Sequence, residues 1–404
     1  MTNKFIQEIN SGSKNALLKR EILCYYINHG ENTLADLGKE MSLSIPTVTK
    51  LVGELIEDGY VIDFGKQETA GGRRPNIYGL NQNSGYFVGV DINHFDMNIG
   101  MINFNGVMVN SKMNIPYRVD HSAEKFEELC VIIEDFLNNS GVPREKIISM
   151  GINISGRVNT RSGHSYSYFY IDERPLTEIF SERLDMNVSI DNDSRAMTYG
   201  EFLNGCVKGE KNVVYINATW GLGMGLIING ELYYGKSGFS GEVGHYPTFD
   251  NETLCHCGKK GCLETQASGS FVHRVFMEKL KNGSSSVLSK KYKKGEEIRL
   301  MDIINSALQD DMLSIELIEE VGFTLGKAIA GLINIFNPEL VVIGGIMAQA
   351  GDYLLLPLRS SIKKYSLNLV NSDTSLKLSK LGDKSGILGA CMLARSKTIG
   401  LIKS

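Results

Sequence analysis

YFVGVDINHFDMNIGMINFNGVMV (residues 86–109) and VVYINATWGLGMGLIINGELYYG (residues 213–235) are written in the same grammar. Each has a β-branched apolar strand, a short loop, a second apolar strand, an Asn-Gly pair and a third strand. The pairs are Asn105-Gly106 and Asn229-Gly230. Asn-Gly between two such runs predicts a hairpin with a type I′ turn, because both residues accept a positive φ. Two unrelated hairpins are the plain reading. A duplicated β-β-β lobe, each copy followed by helices and the pair closing around a cleft, is the sharper one. Outward from these stretches, LINIFNPELVVIGGIMA (332–348) predicts a helix, an Asn-Pro break, a buried strand and a Gly344-Gly345 turn open to close approach. KNGSSSVLSKKYKKGEEIRL (281–300) predicts a lysine-rich surface loop of poor order rather than a DNA patch.

The N-terminal stretch has a different texture. In TLADLGKEMSLSIPTVTKLVGELIEDGYVIDFG (33–65), a short helix over Leu34 to Met41 precedes a polar turn and a longer helix. Val48, Leu51, Val52, Leu55 and Ile56 share one face of that longer helix. Ser44 suits its N-cap, and Pro46 is tolerated in its first turn. Leu18, Ile22, Tyr25 and His29 continue a supporting helix upstream. This is a helix-turn-helix, with Ser44, Thr47, Thr49 and Lys50 placed to meet base edges in a major groove. The following hairpin reads as a wing, with Lys66 on its first strand and Arg73 and Arg74 at its tip, suited to phosphate or a narrow minor groove. A three-helix interaction domain is the alternative. Residues 1–80 hold nine Lys/Arg and ten Asp/Glu, so the positive surface must be local and doubled by a dimer.

Composition bounds the rest. The 404 residues predict two to three domains, and the net charge of −4 excludes binding nucleic acid through overall charge. No signal segment and no spanning apolar run are read, so no membrane partner is expected. Seven cysteines, three of them clustered, argue against a disulfide framework and for a reduced, cytoplasmic setting with a metal site.

GEVGHYPTFDNETLCHCGKKGCLE (241–264) carries that site. Cys255, Cys257 and Cys262 supply three thiolates, and His245 is the natural fourth ligand. A closed Cys3His set predicts one structural zinc per chain. His256 competes less well, since it would coordinate from between two ligating cysteines. Buried free thiols are the bland alternative. Glu242 and Glu264 flank the loop as acceptors for sugar hydroxyls, unless they are only solvated surface carboxylates. In VSIDNDSRAMTYGEFLNG (188–205), Asn192-Asp193 falls between a strand and a helix, where α/β folds gather ligands. There Asp193 can bind a sugar hydroxyl or act on it as a base.

Five segments together resemble the ROK family of repressors, open reading frames and sugar kinases. They are Gly-Glu-x-Gly-His at 241–245, Cys-x-Cys-Gly-x-x-Gly-Cys-x-Glu at 255–264, Asn192-Asp193, Gly-x-x-x-Ser-Gly-Arg-Val at 151–158, and Asn-Pro-x-x-Val-Val-Ile-Gly-Gly at 337–345. The resemblance runs from about Phe87 to Ala394. It implies an α/β chain with a two-lobed, duplicated actin/hexokinase-like (ribonuclease H-like) fold, and regulators of the family begin with a winged helix-turn-helix. It further implies that Asn192, Asp193, Glu242, His245 and Glu264 bind sugar, with Gly156 and Arg157 joining them. His245 would then give one ring nitrogen to zinc and one to sugar.

The chain departs from the family's kinases where they carry an Asp-x-Gly-Gly-Thr phosphate turn. Here Asp91 is followed by Ile92, then Asn93, His94 and Phe95, and the second-lobe turn carries Trp220. Bulky residues keep backbone N–H groups away from phosphate. Three domains are expected. They are a winged helix-turn-helix (1–82), a first lobe (83–200, joined by a returning helix at 385–404), and a second lobe (201–384) with the zinc loop. The functional expectation is a sugar-responsive repressor, dimeric or a dimer of dimers, released from its operator by a sugar bound between the lobes. No catalysis is expected. A sugar kinase with Asp193 as base, and a protein-responsive regulator with a vestigial site, are the alternatives.

Overall fold

The structure is a computed structural model and describes residues 12–66, 75–120, 122–169 and 173–402. It divides into two compact units, 1–192 with 390–404 and 193–389. The first unit thus includes the DNA-binding module and the end of the C-terminal helix. The division falls between Asn192 and Asp193 rather than after residue 200.

In the first unit, α1 (Lys14–His29), β1 (Asn32–Thr33), α2 (Leu34–Glu40), α3 (Ile45–Glu57), β2 (Val61–Lys66) and β3 (Asn76–Leu80) form a winged helix-turn-helix. Its sheet order is β1-β3-β2. Ser13, Thr33 and Ser44 cap the three helices by accepting backbone N–H bonds from Ala16, Asp36 and Thr47. Val48, Leu51, Val52 and Leu55 of α3 are buried, each contributing roughly 1.5–3 kcal/mol. Ile56, placed on that face by its spacing, is exposed. The buried face of α1 is also rotated from expectation. Ile22, Leu23 and Tyr26 fill the core, while Tyr25 and His29 stack on each other outside it.

A five-stranded sheet follows, built from β4 (Tyr86–Ile92), β5 (Asp96–Asn103), β6 (Met108–Pro116), β7 (Ile147–Ile154) and β10 (Val188–Asn192) in the order β10-β7-β4-β5-β6. A separate ribbon, β8 (Val158–Asn159) with β9 (His164–Ser165), lies in the connection after β7. α4 (Ala123–Asn138) and α5 (Leu176–Leu184) bring Phe126, Ile133 and Phe180 into one core with Val88, Val90 and Ile152. Gly151 of β7 admits the C-terminal helix, since a Cβ there would lie 2.5 Å from the Ala390 carbonyl.

The second unit repeats this sheet. α6 (Asp193–Asn204) leads into β11 (Val213–Ala218), β12 (Leu222–Ile228) and β13 (Glu231–Leu232). Then come α7 (Gly269–Lys281), α8 (Ser289–Lys293), α9 (Leu300–Ala307) and α10 (Met312–Phe336). β14 (Leu340–Gly344), α11 (Asp352–Tyr365), α12 (Asn368–Ser372), β15 (Ser375–Leu378) and α13 (Ser385–Thr398) complete the chain. The order β13-β12-β11-β14-β15 has the same antiparallel half and parallel half as the first sheet. Val214 and Ile216 face the core of α7, α9, α10 and α11, while Val213 and Tyr215 face α6. Burial on both faces explains why these strands read as unbroken apolar runs.

Two local expectations need correction. Asn229 and Gly230 both take positive φ, as a type I′ turn requires. At the other pair only Gly106 does. There Gly106 N–H and Val107 N–H are held by the backbone carbonyl and the side chain of Asn103, and the β5–β6 register shifts beside them. That is a longer turn with a left-handed glycine, selected by Asn103. The stretch 281–300 is also not a plain loop. It contains α8, and Asp311 at the N-cap of α10 accepts bonds from Val287 N–H and the Ser286 hydroxyl.

Candidate functional site

The DNA-binding module presents Thr47, Thr49 and Lys50 outward at the start of α3, beside the Ser44 cap. Thr49 is exposed, and its Oγ1 donates to the Ile45 carbonyl at 2.8 Å. The Lys50 side chain is 70% exposed, with Nζ 3.9 Å from Glu54. Lys66 is exposed at the end of β2. Arg73 and Arg74 lie outside the described residues.

In the first unit, Asn192 ends β10, and its Nδ2 donates to the Gly156 carbonyl at 3.0 Å. Gly156 has φ 88°, and a Cβ there would run into Ser167. The Ser167 hydroxyl also accepts the Arg157 N–H at 3.0 Å, while the Arg157 side chain is exposed. Asp191, buried beside Asn192, accepts the Asn192 N–H at 2.8 Å and Lys397 Nζ at 2.9 Å. Sequence reading missed Ser167, Asp191 and Lys397. Only the closeness of Asp191 to Asn192 signalled any of them.

The β4–β5 turn is closed on itself. Asn93 donates its N–H to the Asp96 carbonyl and its amide to the Asp96 carboxylate, both at 2.9 Å, and Arg118 lies 5.0 Å from the Phe95 ring.

In the second unit, Asp193 opens α6 and accepts the Ser194 N–H at 2.7 Å. The Thr219 and Trp220 carbonyls accept the first N–H groups of α7. The loop 241–264 is laid against β12 by glycines. Gly241 has φ 94°, and a Cβ on it would lie 2.0 Å from the Met224 carbonyl; one on Gly244 would lie 2.3 Å from that of Leu222. Only glycine lets the chain approach this closely. The short turn Val243–His245 then carries His245 onto the cysteine loop.

His245 Nδ1 stands 3.5 Å from Cys255 Sγ and 3.5 Å from Glu264 Oε1, and its Nε2 is 3.7 Å from Glu242 Oε2. Cys257 and Cys262 sulfurs are 3.7 Å apart. The donor atoms of His245, Cys255, Cys257 and Cys262 all lie within 4.8 Å of one another, so these side chains could hold a metal ion. His245, His256 and Glu264 form a second such trio, with His256 Nδ1 2.8 Å from Glu264 and its ring exposed. Burial alone would push the Glu264 carboxyl up. Hydrogen bonds from His256 and Cys255, with the charge of both imidazoles, hold it below its ordinary value.

A winged helix-turn-helix on a duplicated sheet body, with a thiol-imidazole cluster flanked by carboxylates, defines a DNA-binding regulator on a sugar-kinase scaffold. The model of the ROK family matches residues 89–397, and a winged helix-turn-helix DNA-binding model matches residues 17–62; the chain belongs to the ROK family. A putative xylose repressor from Caldicellulosiruptor sp. (strain Rt8B.4) is 31% identical, covering 93% of this chain and 94% of its own. The crystal structure of a ROK family transcriptional regulator, a homologue of the E. coli MLC protein, superposes with a TM-score of 0.79. It is 26% identical and covers 98% of each chain. A glucokinase from Halalkalibacterium halodurans is 29% identical, covering 77% of this chain and 96% of its own. The body therefore has the actin/hexokinase-like fold that the family resemblance implied.

Proposed function

We propose that the chain is a sugar-responsive transcriptional repressor, which binds operator DNA through its winged helices and releases it when a sugar occupies the ROK body. The observation that carries this reading is the fusion, in one chain, of a capped recognition helix with an exposed Thr47, Thr49 and Lys50 face to that body. Relatives named as regulators cover 93% and 98% of this chain, while the glucokinase covers 77% of it. The closed Asn93–Asp96 turn supports a regulator rather than a kinase, because it offers bulky side chains where a phosphate cradle needs glycine.

Asn192, Asp193, Glu242, His245 and Glu264 are proposed to bind the sugar, with Gly156 and Arg157 beside Asn192. Glu242 next to His245 Nε2 suits a pair of vicinal hydroxyls, which need an acceptor and a donor side by side. His245, Cys255, Cys257 and Cys262 are proposed to hold one zinc ion per chain. A tetrahedron with Zn–S of about 2.3 Å and Zn–N of about 2.0–2.1 Å has edges of about 3.8 Å (S–S) and 3.5 Å (S–N). The Cys257–Cys262 and His245–Cys255 separations of 3.7 and 3.5 Å fit those edges. Such an ion supplies local stability on the order of 10 kcal/mol and fixes the His245 ring. A cytoplasmic setting suits the unpaired thiols.

The test uses a duplex that the protein itself selects from a randomised pool. D-Xylose, D-glucose and N-acetylglucosamine are added in turn while anisotropy reports binding. One of them is expected to weaken the complex, and none is expected to support ADP formation from ATP. Rapid phosphorylation lost in Asp193→Asn would replace the repressor by a kinase. A dimer is expected, because two modules read a two-fold site. A monomer with full operator affinity by sedimentation would refute it.

A further inference from the structure

Asp191 divides its two carboxylate oxygens between two different tasks. Oδ1 accepts the backbone N–H of Asn192, and Oδ2 accepts Lys397 Nζ at 2.9 Å. Lys397 also donates to the Ile190 carbonyl at 3.3 Å, so it grips the end of β10 twice. The Asp191 carboxylate is 3% exposed and the Lys397 side chain 15%, which shields the pair from water and salt.

Lys397 lies on the last turn of α13, and the chain beyond that turn grips the DNA-binding module. The Ile399 carbonyl accepts from Cys24 Sγ of α1 at 3.7 Å. Gly400 packs on Arg20, where a Cβ would lie 2.7 Å from the guanidinium. One half-turn before Lys397, Arg395 donates to the Phe104 carbonyl at 3.3 Å, and the Phe104 ring packs 5.7 Å from Tyr60. Tyr60 follows α3 directly, and its N–H closes that helix on the Leu55 carbonyl. α1 in turn holds α3, since Lys19 Nζ is 3.0 Å from both Glu54 and Asp58.

We propose that Lys397 is the positioning residue that couples the sugar-binding strand end to the recognition helix, with the last turn of α13 as the moving part. The inference rests on the sugar-responsive reading and names its route. A sugar that draws on Asn192 moves the β10 end by its differential affinity for two states of that strand. Asp191 and Lys397 pass the shift to α13. The tail at Ile399 and Gly400, with Arg395 through Phe104 and Tyr60, then tilts α1 and α3 together. The path is a chain of hydrogen-bonded and packed groups within one compact unit, and both ends act on the same short helical turn.

The experiment compares operator affinity with and without the effective sugar in four proteins. The wild type should weaken by about 5- to 150-fold, the range of ordinary allosteric coupling. Lys397→Met should bind the sugar by calorimetry, bind the operator without sugar as the wild type does, and respond by less than about twofold. Lys397→Arg should restore the response. Lys397→Met leaves Asp191 buried without its counter-charge, so the double variant Asp191→Asn/Lys397→Met removes both charges and should show the same loss if the single variant does not fold. A full response in the double variant overturns the relay. So does loss of sugar binding itself, which would mean that Lys397 only holds the strand end. A wild type that none of the three sugars moves overturns the sugar reading and the relay with it.

Discussion

His245 Nδ1 stands 3.5 Å from Cys255 Sγ, on the side of the imidazole away from Glu242. The ring therefore has two distinct sides, Nδ1 toward the Cys255 sulfur and Glu264, and Nε2 toward Glu242. A metal held on the first fixes the tautomer presented to the second.

Metal content tests the first side. Cys257→Ser and Cys262→Ser each open a closed four-donor set, so the roughly one zinc per chain expected in the wild type should be lost on dialysis. Chelation of the wild type should loosen the loop 241–264 and raise its hydrogen exchange. A full complement of zinc in Cys262→Ser would discard the ligand set.

Gly241→Ala tests how the backbone positions the loop. Its φ of 94° and the 2.0 Å approach to the Met224 carbonyl leave no room for a methyl group. The substitution should destabilise the loop by about 1–3 kcal/mol and lower zinc affinity while all four ligands remain. Unchanged metal affinity would show that the 3-10 turn is not what places His245.

The DNA face makes a divided prediction. Thr47→Ala or Lys50→Ala should change which bases the protein selects, because those side chains stand at the exposed start of α3. Arg73→Ala with Arg74→Ala should weaken all duplexes alike and flatten the salt dependence if the two arginines meet phosphate. Undiminished affinity in that double variant would remove the wing from the interface.

What the sequence disclosed depended on how local the cause was. The Ser44 cap, the α3 stripe and the Cys255-x-Cys257 spacing are written within a few residues, so the helix-turn-helix and thiol cluster were legible. The repeated hairpins made the duplicated sheets legible too. Ile56 was misjudged because helical spacing marks a face but not where that face ends. The turn at Asn105-Gly106 followed the Asn103 side chain rather than its own pair. α8 hid in a polar run because the residue organising it, Asp311, comes from the next-but-one helix. Asp191 and Lys397 are 206 positions apart, and nothing in α13's small residues marks its last turn as a meeting point.

The last prediction concerns Glu264. Its Oε1 is held by His256 and Cys255 at 2.8 Å, while Oε2 stands over Gly221 and Gly244, 3.6 and 3.4 Å from where their Cβ atoms would be. A carboxylate kept charged while nearly buried has its desolvation offset by hydrogen bonds and neighbouring imidazoles, and its second oxygen is the one proposed to accept a ligand hydroxyl. Glu264→Gln keeps the volume and one acceptor but removes the charge. It should cost about 1.5–3 kcal/mol of sugar affinity, the worth of a hydrogen bond to a charged group, or roughly 10- to 150-fold. Operator affinity without sugar should stay within about threefold of wild type, since Glu264 belongs to a different compact unit from the winged helix-turn-helix. The sugar concentration needed for half-release should rise by the same factor as the binding constant, because linkage ties the two. Release at the wild-type concentration would exclude Glu264 from the sensor.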